Sequence, residues 1–380
     1  MTDFNSMVLA KEQILFQELI QSVCAEREIN TYLFDGLTES EWISLIELST
    51  QQSVSAIIAD KILELPSRFL PPRNLIFSLL RAIGEVEKRN LKIHETTKYI
   101  LNTYAQKNIY PILVKGEAVA QYWPKPQLRS MGDIDLFFTN EEEYDTINNW
   151  IISQGHTYHV DDREGHWAYE INNVMVEHHK RLAFFEKNKY NRKFSELINT
   201  EINSNSILNI KMGDIKAKTL PVEINAFYIF LHLFFHFIHE GISVRQLMDW
   251  TFFLKEHKHV IREGKLADIA QSFNLIKAMQ LIAQSALKYL EIPSWVFPFD
   301  LGKKNENIID KIWEDILQGG NFGFYNKEYE EGLNPFKRKS IKYLRLLKKT
   351  YIFREIAPHY SYIIPVHSLK DFVNKTVAHR

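Results

Sequence analysis

Residues 112–138 read ILVKGEAVAQYWPKPQLRSMGDIDLFF. The final part, GDIDLFF, is rich in apolar β-formers, which predicts a strand over residues 134–138. Successive side chains of a strand point to opposite faces, so Asp133 and Asp135 share one face. Two carboxylates at the start of a buried strand repel each other and are costly to bury unless a cation lies between them. The pattern therefore predicts a site for hard divalent cations that prefer oxygen ligands, such as a pair of Mg²⁺ ions.

The upstream part of this segment predicts a corner that binds phosphate. Residues 112–114 form an apolar run that predicts a short strand, Lys115 and Gly116 follow as a turn, and residues 117–123 have helical character. A helix N-terminus after a strand and a glycine turn presents free backbone N–H groups and the positive end of the helix dipole to an anion. A phosphate corner followed by a strand with two aspartates is the layout of a metal-dependent nucleotidyl transferase site.

The pattern KGxA…RxxGDIDL, which begins at Lys115 and ends at Leu136, resembles the nucleotidyltransferase superfamily of the DNA polymerase β type. Within that superfamily the chain most resembles a bacterial family described only as uncharacterised nucleotidyltransferases. Residues 112–179 carry most of the resemblance, and residues 226–254 carry part of it. The resemblance implies an α+β fold, in which a polymerase β-like core with a mixed sheet is flanked by helical regions on both sides.

Glu177 is the candidate for the third carboxylate of a two-metal site. It lies in the apolar run VMVEHH, Val174–His179, which predicts another core strand with Glu177 and His179 on one face and His178 on the other. A charged residue on a buried strand needs a partner, and the residues alone leave open a metal or an ion pair with the basic residues that follow. The resemblance favours the metal, because the family places a carboxylate and, two residues later, a histidine on this strand. His179 would ligate metal, contact a phosphate or orient Glu177.

The resemblance also assigns nucleotide-binding roles to Lys115, Gly116 and Arg129. Most enzymes of the polymerase β type have Gly-Ser at the phosphate corner, where this chain has Lys-Gly-Glu-Ala. The missing serine removes one phosphate-binding hydroxyl, and we expect Lys115 to compensate as a cation on the triphosphate. We expect Glu117 to point away from the triphosphate. Arg129 matches a family position and would either bind phosphate or form a salt bridge to one of the two aspartates.

The segment LHLFFHFIHEGISVRQLMDW, residues 231–250, also resembles the family. On this basis His236, Arg245 and Asp249 are expected on the nucleotide or acceptor side of the cleft. Arg245 and Asp249 are four residues apart on a predicted helix and could pair with each other. His232 and His236 have the same spacing, which allows either a zinc-binding pair or a polar stripe that lines the cleft. The sequence offers no evident third ligand, which favours the stripe.

Hydrophobic periodicity divides the chain into three predicted regions. Residues 1–107 predict a helical layer, residues 108–218 mix strands with helices, and residues 219–380 are helical again. In the middle region the pattern predicts a helix over Glu141–Ser153 with Asn140 as its N-cap. A hairpin is predicted within residues 156–171, with its polar loop at residues 161–165.

The composition is that of a soluble globular protein. The chain has 380 residues, enough for two or three domains, and is 45% hydrophobic and 24% charged. The net charge of −1 excludes an electrostatic nucleic-acid binder as a description of the whole chain. Residues 337–354 nevertheless carry eight Lys or Arg and no acid, which predicts either a surface helix packed on its domain or a contact with tRNA, lipid or another polyanion.

Cysteine content and targeting signals indicate the compartment. The single cysteine, Cys24, excludes an intramolecular disulfide and is predicted to be a buried core thiol. The N-terminus lacks the basic and apolar regions of a secretory signal, and the apolar residues 226–238 are too few to span a bilayer. We therefore expect a cytoplasmic protein without a membrane span.

Together these features predict an enzyme in which Asp133, Asp135 and Glu177 bind two Mg²⁺ (or Mn²⁺) ions. It would transfer an NMP from an NTP, with ATP the expected donor, to a hydroxyl of a small molecule, protein or RNA, and release pyrophosphate. The alternative is a catalytically inactive nucleotide-binding or regulatory module of the same fold, which the missing serine favours and the three carboxylates oppose. A third hypothesis is a metal hydrolase built on His232, His236 and Glu177.

Overall fold

A seven-stranded mixed sheet lies at the centre of the chain, with helices before, between and after its strands. The computed structural model describes residues 9–161, 165–204, 206–323 and 335–377. The strands are β1 Ile112–Val114, β2 Asp133–Phe137, β3 Tyr158–Asp161, β4 His166–Ile171, β5 Val174–His179, β6 Leu208–Met212 and β7 Ile215–Thr219. The helices are α1 Lys11–Cys24, α2 Glu39–Gln51, α3 Ser55–Leu63, α4 Arg73–Ala105, α5 Gly116–Ala120, α6 Glu141–Ser153, α7 Asn188–Asn203, α8 Val222–His239, α9 Val244–His257, α10 Lys265–Ser272, α11 Ile276–Tyr289, α12 Glu306–Gly319, α13 Pro335–Ile352 and α14 Pro358–Val377. The predicted α+β class is confirmed.

Strand β2 is the centre of the sheet, whose order is β3-β4-β5-β2-β1-β7-β6. It pairs antiparallel with β1 and parallel with β5. The register sets Asp135 opposite Val114 on one side and opposite Glu177 on the other. Acidic residues that are 42 positions apart in sequence therefore meet on adjacent strands.

Alternation along β2 separates an apolar face from a polar one. Ile134 and Leu136 are buried in a core with residues of α4 and α6, among them Ile100 and Ile147. Their neighbours, the aspartates of β2, point to the opposite face, because successive side chains of a strand alternate. The β2 strand thus buries its apolar face and keeps its acids on the side where the cavity described below lies.

Several predicted elements are present with the predicted bounds. Helix α6 begins after Asn140, whose side chain accepts from the backbone N–H of Glu142 at 2.8 Å, and strand β5 spans the predicted residues. Helix α5 ends earlier than the predicted residue 123. Helix α7 and the β6–β7 hairpin were not predicted, whereas α12 lies in the C-terminal region that was predicted to be helical without bounds for this helix. Of the predicted loop at residues 161–165, residues 162–164 lie outside the described part of the chain.

The helices before and after the sheet pack into one core. Leu19 of α1, Trp250 of α9 and Trp313 of α12 belong to the same buried cluster. Cys24 also lies in this cluster at 1% exposure, as predicted, and burial raises the pKa of its thiol. The predicted division into three domains stays a prediction.

Helix α8 is the apolar helix at the centre of this core. Phe227, Phe230 and Phe234 are fully buried along it. The prediction that this segment is too short for a bilayer is wrong in its length, because the helix has 18 residues and is apolar enough to cross a membrane. In the described part of the chain it is the one such helix, and 72% of it is buried inside the protein.

The basic segment forms helix α13, which packs against the helices of this core. Lys349 is buried, pairs with Asp315 of α12, and lies 4.4 Å above the ring of Phe237. Arg345 donates to the backbone carbonyl of Glu240. These contacts agree with a surface helix packed on its domain, and contact with a polyanion stays a prediction.

Helix α4 fixes the loop that leads into β2. Arg89 donates to the backbone carbonyl of Gly132 at 2.7 Å. The amide of Asn90 donates to the carbonyls of Gln127 and Arg129 at 2.7 and 2.8 Å. Since Asn90 is buried, these bonds replace water as the partners of the loop carbonyls.

We expect Asn90→Ala to lower the free energy of unfolding by about 1–3 kcal/mol, because two loop carbonyls lose their donor and one is fully buried. Urea denaturation of the purified protein measures the change. The matched control is Asn102→Ala at an exposed position of the same helix, where we expect a change within about 0.5 kcal/mol. Equal effects of the two substitutions would contradict the assigned role of Asn90.

Candidate active site

A cavity of about 450 Å³ lies beside β1, β2 and β5 and is covered by α8 and α9. All ten residues that the sequence analysis proposed for the site line this cavity: Lys115, Gly116, Arg129, Asp133, Asp135, Glu177, His179, His236, Arg245 and Asp249. The fold therefore brings the candidates together, although they come from four separate parts of the sequence. Their individual roles stay predictions.

Asp135 is the carboxylate at the centre of the site. It is 2% exposed, and its Oδ1 lies 2.8 Å from Nε2 of His179. The same His179 atom lies 3.6 Å from Oε2 of Glu177. Ligand atoms of these three residues all lie within 4.8 Å of one another, so the group can hold a metal ion. Two carboxylates and an imidazole suit Mn²⁺ and allow Mg²⁺, since carboxylates suit both ions and imidazole suits transition metals. Asp133 lines the same cavity but does not belong to this compact group.

His166 of β4 is a site residue that sequence reasoning missed. Its ring stacks on that of His179, with centroids 5.1 Å apart and planes at 12°. Its Nε2 lies 3.2 Å from Oε2 of Glu177. The register of β4 against β5, which sets His166 opposite His179, creates this arrangement. Asn172 and Asn173, both at positive φ, form the two-residue turn that fixes this register, so the turn was the sequence signal that could have identified His166.

Lys115 lines the cavity next to the carboxylates. Its ammonium lies 2.9 Å from Oδ1 of Asp135, and its predicted contact with a triphosphate stays a prediction. Burial lowers the pKa of Lys115, but Asp135, Tyr228 and the neighbouring acids hold the pKa well above its usual range. The side chain is therefore a cation at the carboxylates.

The predicted phosphate corner is a tight turn in which two successive residues have positive φ angles. The φ angle is +52° at Lys115 and +38° at Gly116, where α5 begins. A Cβ at residue 116 would lie 3.3 Å from the backbone carbonyl of Asp133, so glycine allows the close approach of the corner to β2. Helix α5 has five residues, so the helix dipole that the sequence predicts at this corner is weak.

Glu117 points away from the cavity, as expected. Its carboxylate contacts Nδ1 of His94 on α4, and the other ring nitrogen of His94 lies 2.9 Å from Asp214 in the β6–β7 turn. Burial lowers the pKa of His94, but the two carboxylates raise it above its usual value. An acid next to the phosphate corner is thus paired outside the site.

Arg129 forms a salt bridge to Asp249 rather than to an aspartate of β2, so one of its two predicted roles is wrong, and phosphate binding stays a prediction. Its Nε and Nη2 lie 2.6 and 2.8 Å from the two carboxylate oxygens of Asp249, and Nε1 of Trp123 donates to the same carboxylate at 2.8 Å. Arg245 lies 3.6 Å from Asp249, which agrees with the predicted pair. Nη1 of Arg129 is buried without a hydrogen-bond partner among the described residues. Two guanidinium groups thus share one carboxylate on the cavity wall.

The two aspartates of β2 differ in their affinity for protons. Burial and the adjacent charge of Asp135 raise the pKa of Asp133 to about 6, although Lys115 and Arg245 oppose the shift. Burial also acts to raise the pKa of Asp135, but Lys115 and His179 hold it well below its usual range. Asp135 therefore stays ionised at lower pH than Asp133 does.

His232 and His236 of α8 line the cavity but do not belong to a metal-binding cluster of the described residues. The rings of His232 and His236 are 4.4 Å apart, and His236 lies 3.1 Å from Glu240. Burial and nearby cations hold the pKa of His232 well below its usual range. Among the described residues, neither histidine belongs to a group of three metal-ligating side chains. The polar stripe is therefore favoured over the zinc pair.

We expect Asp133→Asn to stabilise the metal-free protein at neutral pH. The pKa of Asp133 rises from 3.8 to about 6 on folding. The folded state therefore binds the proton more tightly, and stability falls as the pH rises from about 4 to about 6. Asparagine removes this loss, so the free energy of unfolding at pH 7.5 in EDTA should increase by about 1–3 kcal/mol.

The gain should shrink at pH 4.5, where much of Asp133 is already protonated, and thermal or urea unfolding at both pH values measures it. Asp268→Asn, at an exposed acid, is the control and should change stability by less than about 0.5 kcal/mol. A destabilised Asp133→Asn protein at pH 7.5 would contradict the assigned electrostatic cost.

Comparison with known proteins gives one match. A family model described as "Uncharacterised nucleotidyltransferase" matches residues 38–291. The matched range contains the whole sheet, helices α2 to α11 and every proposed site residue. No curated protein and no solved structure matches the chain.

Proposed function

The chain belongs to this family of uncharacterised nucleotidyltransferases, and we propose that it transfers an NMP from an NTP to a hydroxyl acceptor and releases pyrophosphate. The observation that carries the proposal is the group of Asp135, Glu177 and His179, with ligand atoms within 4.8 Å of one another and Asp133 beside them. The parallel pairing of β2 with β5, with two acids on one strand and one on the other, supports a core of the polymerase β type.

In the proposed reaction the acceptor oxygen attacks the α-phosphorus in line with the bond to pyrophosphate. The new O–P bond forms as the old P–O bond breaks, and pyrophosphate leaves with the bonding electrons. A divalent cation, Mg²⁺ or Mn²⁺, held by Asp133, Asp135 and Glu177 would polarise the phosphoryl oxygens and favour loss of the hydroxyl proton.

Glu177 is the proposed base for that proton. Its side chain is 22% exposed to the cavity, whereas that of Asp135 is 2% exposed, so an acceptor can reach Glu177 more easily. Nε2 of His166 lies 3.2 Å from Oε2 of Glu177, within ion-pair distance, and would orient the carboxylate. The proton would move from the acceptor hydroxyl to Glu177 as the O–P bond forms.

The opposite wall of the cavity supports phosphate binding. Asp249 neutralises one of the charges of Arg129 and Arg245, which leaves one net positive charge. Nη1 of Arg129 and Nε2 of Gln246 are buried donors without a hydrogen-bond partner among the described residues, and both residues line the cavity. Unpaired buried donors next to a positive charge favour an anionic ligand, such as the phosphates of an NTP. ATP as the donor and the cytoplasm as the location complete the proposal.

Labelling tests the reaction. The purified protein is incubated with each α-³²P-labelled NTP, Mg²⁺ or Mn²⁺ and cell extract, and the labelled fraction is then identified as protein, RNA or small molecule. We expect label transfer by the wild type, and a loss of at least about 100-fold in Asp135→Asn, because a ligand should matter at least as much as the groups around a metal.

The control is Asp145→Asn, an acid outside the cavity that pairs with Lys180, and it should transfer label at the rate of the wild type. Transfer by Asp135→Asn at that rate would contradict the proposed site. No transfer from any NTP, combined with calorimetric binding of nucleotide that needs neither metal nor the aspartates of β2, would instead indicate the inactive binding module.

A further inference from the structure

Two side-chain nitrogens lie within hydrogen-bond distance of the same carboxylate oxygen of Asp135. Nζ of Lys115 lies 2.9 Å and Nε2 of His179 lies 2.8 Å from Oδ1 of Asp135. An ammonium group in contact with a carboxylate oxygen takes a position that a metal ion would otherwise use. Lys115 thus occupies part of the coordination space of Asp135.

The fold directs Lys115 to this position. Val114 lies opposite Asp135 in the β1–β2 register, so the residue after Val114 leaves the sheet next to that carboxylate. The backbone of Lys115 is held at φ +52° between β1 and α5. Its Nζ also lies 5.8 Å from the ring centroid of Tyr228, a buried residue of α8. The side chain is 18% exposed, so moving the ammonium away from Asp135 would leave a largely buried charge without its carboxylate.

The summed charge of the three carboxylates and Lys115 balances one divalent cation. Asp133, Asp135 and Glu177 carry three negative charges when ionised, and Lys115 carries one positive charge. The remaining two negative charges equal the charge of a single Mg²⁺ or Mn²⁺ ion. Two such ions would leave the carboxylates and Lys115 with a net positive charge of two before any nucleotide is bound.

We propose that the site binds one divalent cation and that the ammonium of Lys115 takes the place of a second one. This inference rests on the proposed function for the nature of the substrate, but the number of metal ions is measurable without turnover. Lys115 would stabilise the negative charge that gathers on the pyrophosphate oxygen as the P–O bond breaks, and it would keep its own proton. Lys115 is then one of the cations of the site.

The test counts Mn²⁺ ions by electron paramagnetic resonance. The protein is loaded with Mn²⁺ and a non-hydrolysable ATP analogue, freed of excess metal by gel filtration, and measured. We expect one Mn²⁺ per chain with the spectrum of an isolated ion in the wild type. The Lys115→Met protein should bind two Mn²⁺ ions per chain. Its spectrum should be that of an exchange-coupled pair, because two ions on shared carboxylates lie only about 4 Å apart.

Two further variants control the experiment. Lys115→Arg keeps the charge and should stay at one ion, and Lys180→Met removes a lysine that pairs with Asp145 away from the cavity and should also stay at one ion. A folded Lys115→Met protein that still binds one Mn²⁺ would overturn the inference. Lys115→Gln replaces Lys115→Met if the latter does not fold.

The wild-type protein alone also tests how many divalent cations the site binds. Two exchange-coupled Mn²⁺ ions in the wild type would overturn this inference and leave the proposed function intact. One Mn²⁺ ion without label transfer from any NTP would support the inference and overturn the proposed function. A wild type that binds no Mn²⁺, with or without the analogue, would overturn both.

Discussion

The parallel pairing of β2 with β5 is the constraint on which the site depends. A shift of one residue in this register would turn the side chains of one strand to the other face and separate Asp135 from Glu177. The register is held by the apolar face of the same two strands, where Ile134, Leu136 and Val176 are buried in one core. The acids are thus brought together by the burial of their apolar neighbours.

Much of the fold could be predicted because its signals are local. The apolar runs of β1, β2 and β5 and the Asn140 cap of α6 can be read from a few adjacent residues. The β6–β7 hairpin was missed although its signal is also local, since LNIKM and IKAKT alternate apolar with polar residues on either side of the two-residue turn Gly213-Asp214. Its sole direct link to the rest of the sheet is the pairing of β7 with β1, which no local pattern announces.

The candidate site shows the same division between local and distant information. Residue type and spacing were enough to nominate Asp133 and Asp135, and the family resemblance added Glu177, whereas the partners of the site residues depended on tertiary contacts. The salt bridge of Arg129 joins a loop before β2 to helix α9, 120 residues further along the chain. A sequence shows that an arginine is present but not which of several acids it meets, and the nearest acids in sequence were the wrong choice.

Helix α4 adds a mechanical property to this arrangement. Its 33 residues extend over about 50 Å at 1.5 Å per residue. It packs on α3 and bonds the loop before β2 through Arg89 and Asn90. In its last turn it carries Tyr104, whose hydroxyl lies 2.9 Å from His178 on the reverse side of β5. A long helix with these three attachments connects the N-terminal helices to β2 and β5. A displacement of the N-terminal helices would therefore act on both strands that carry the carboxylates.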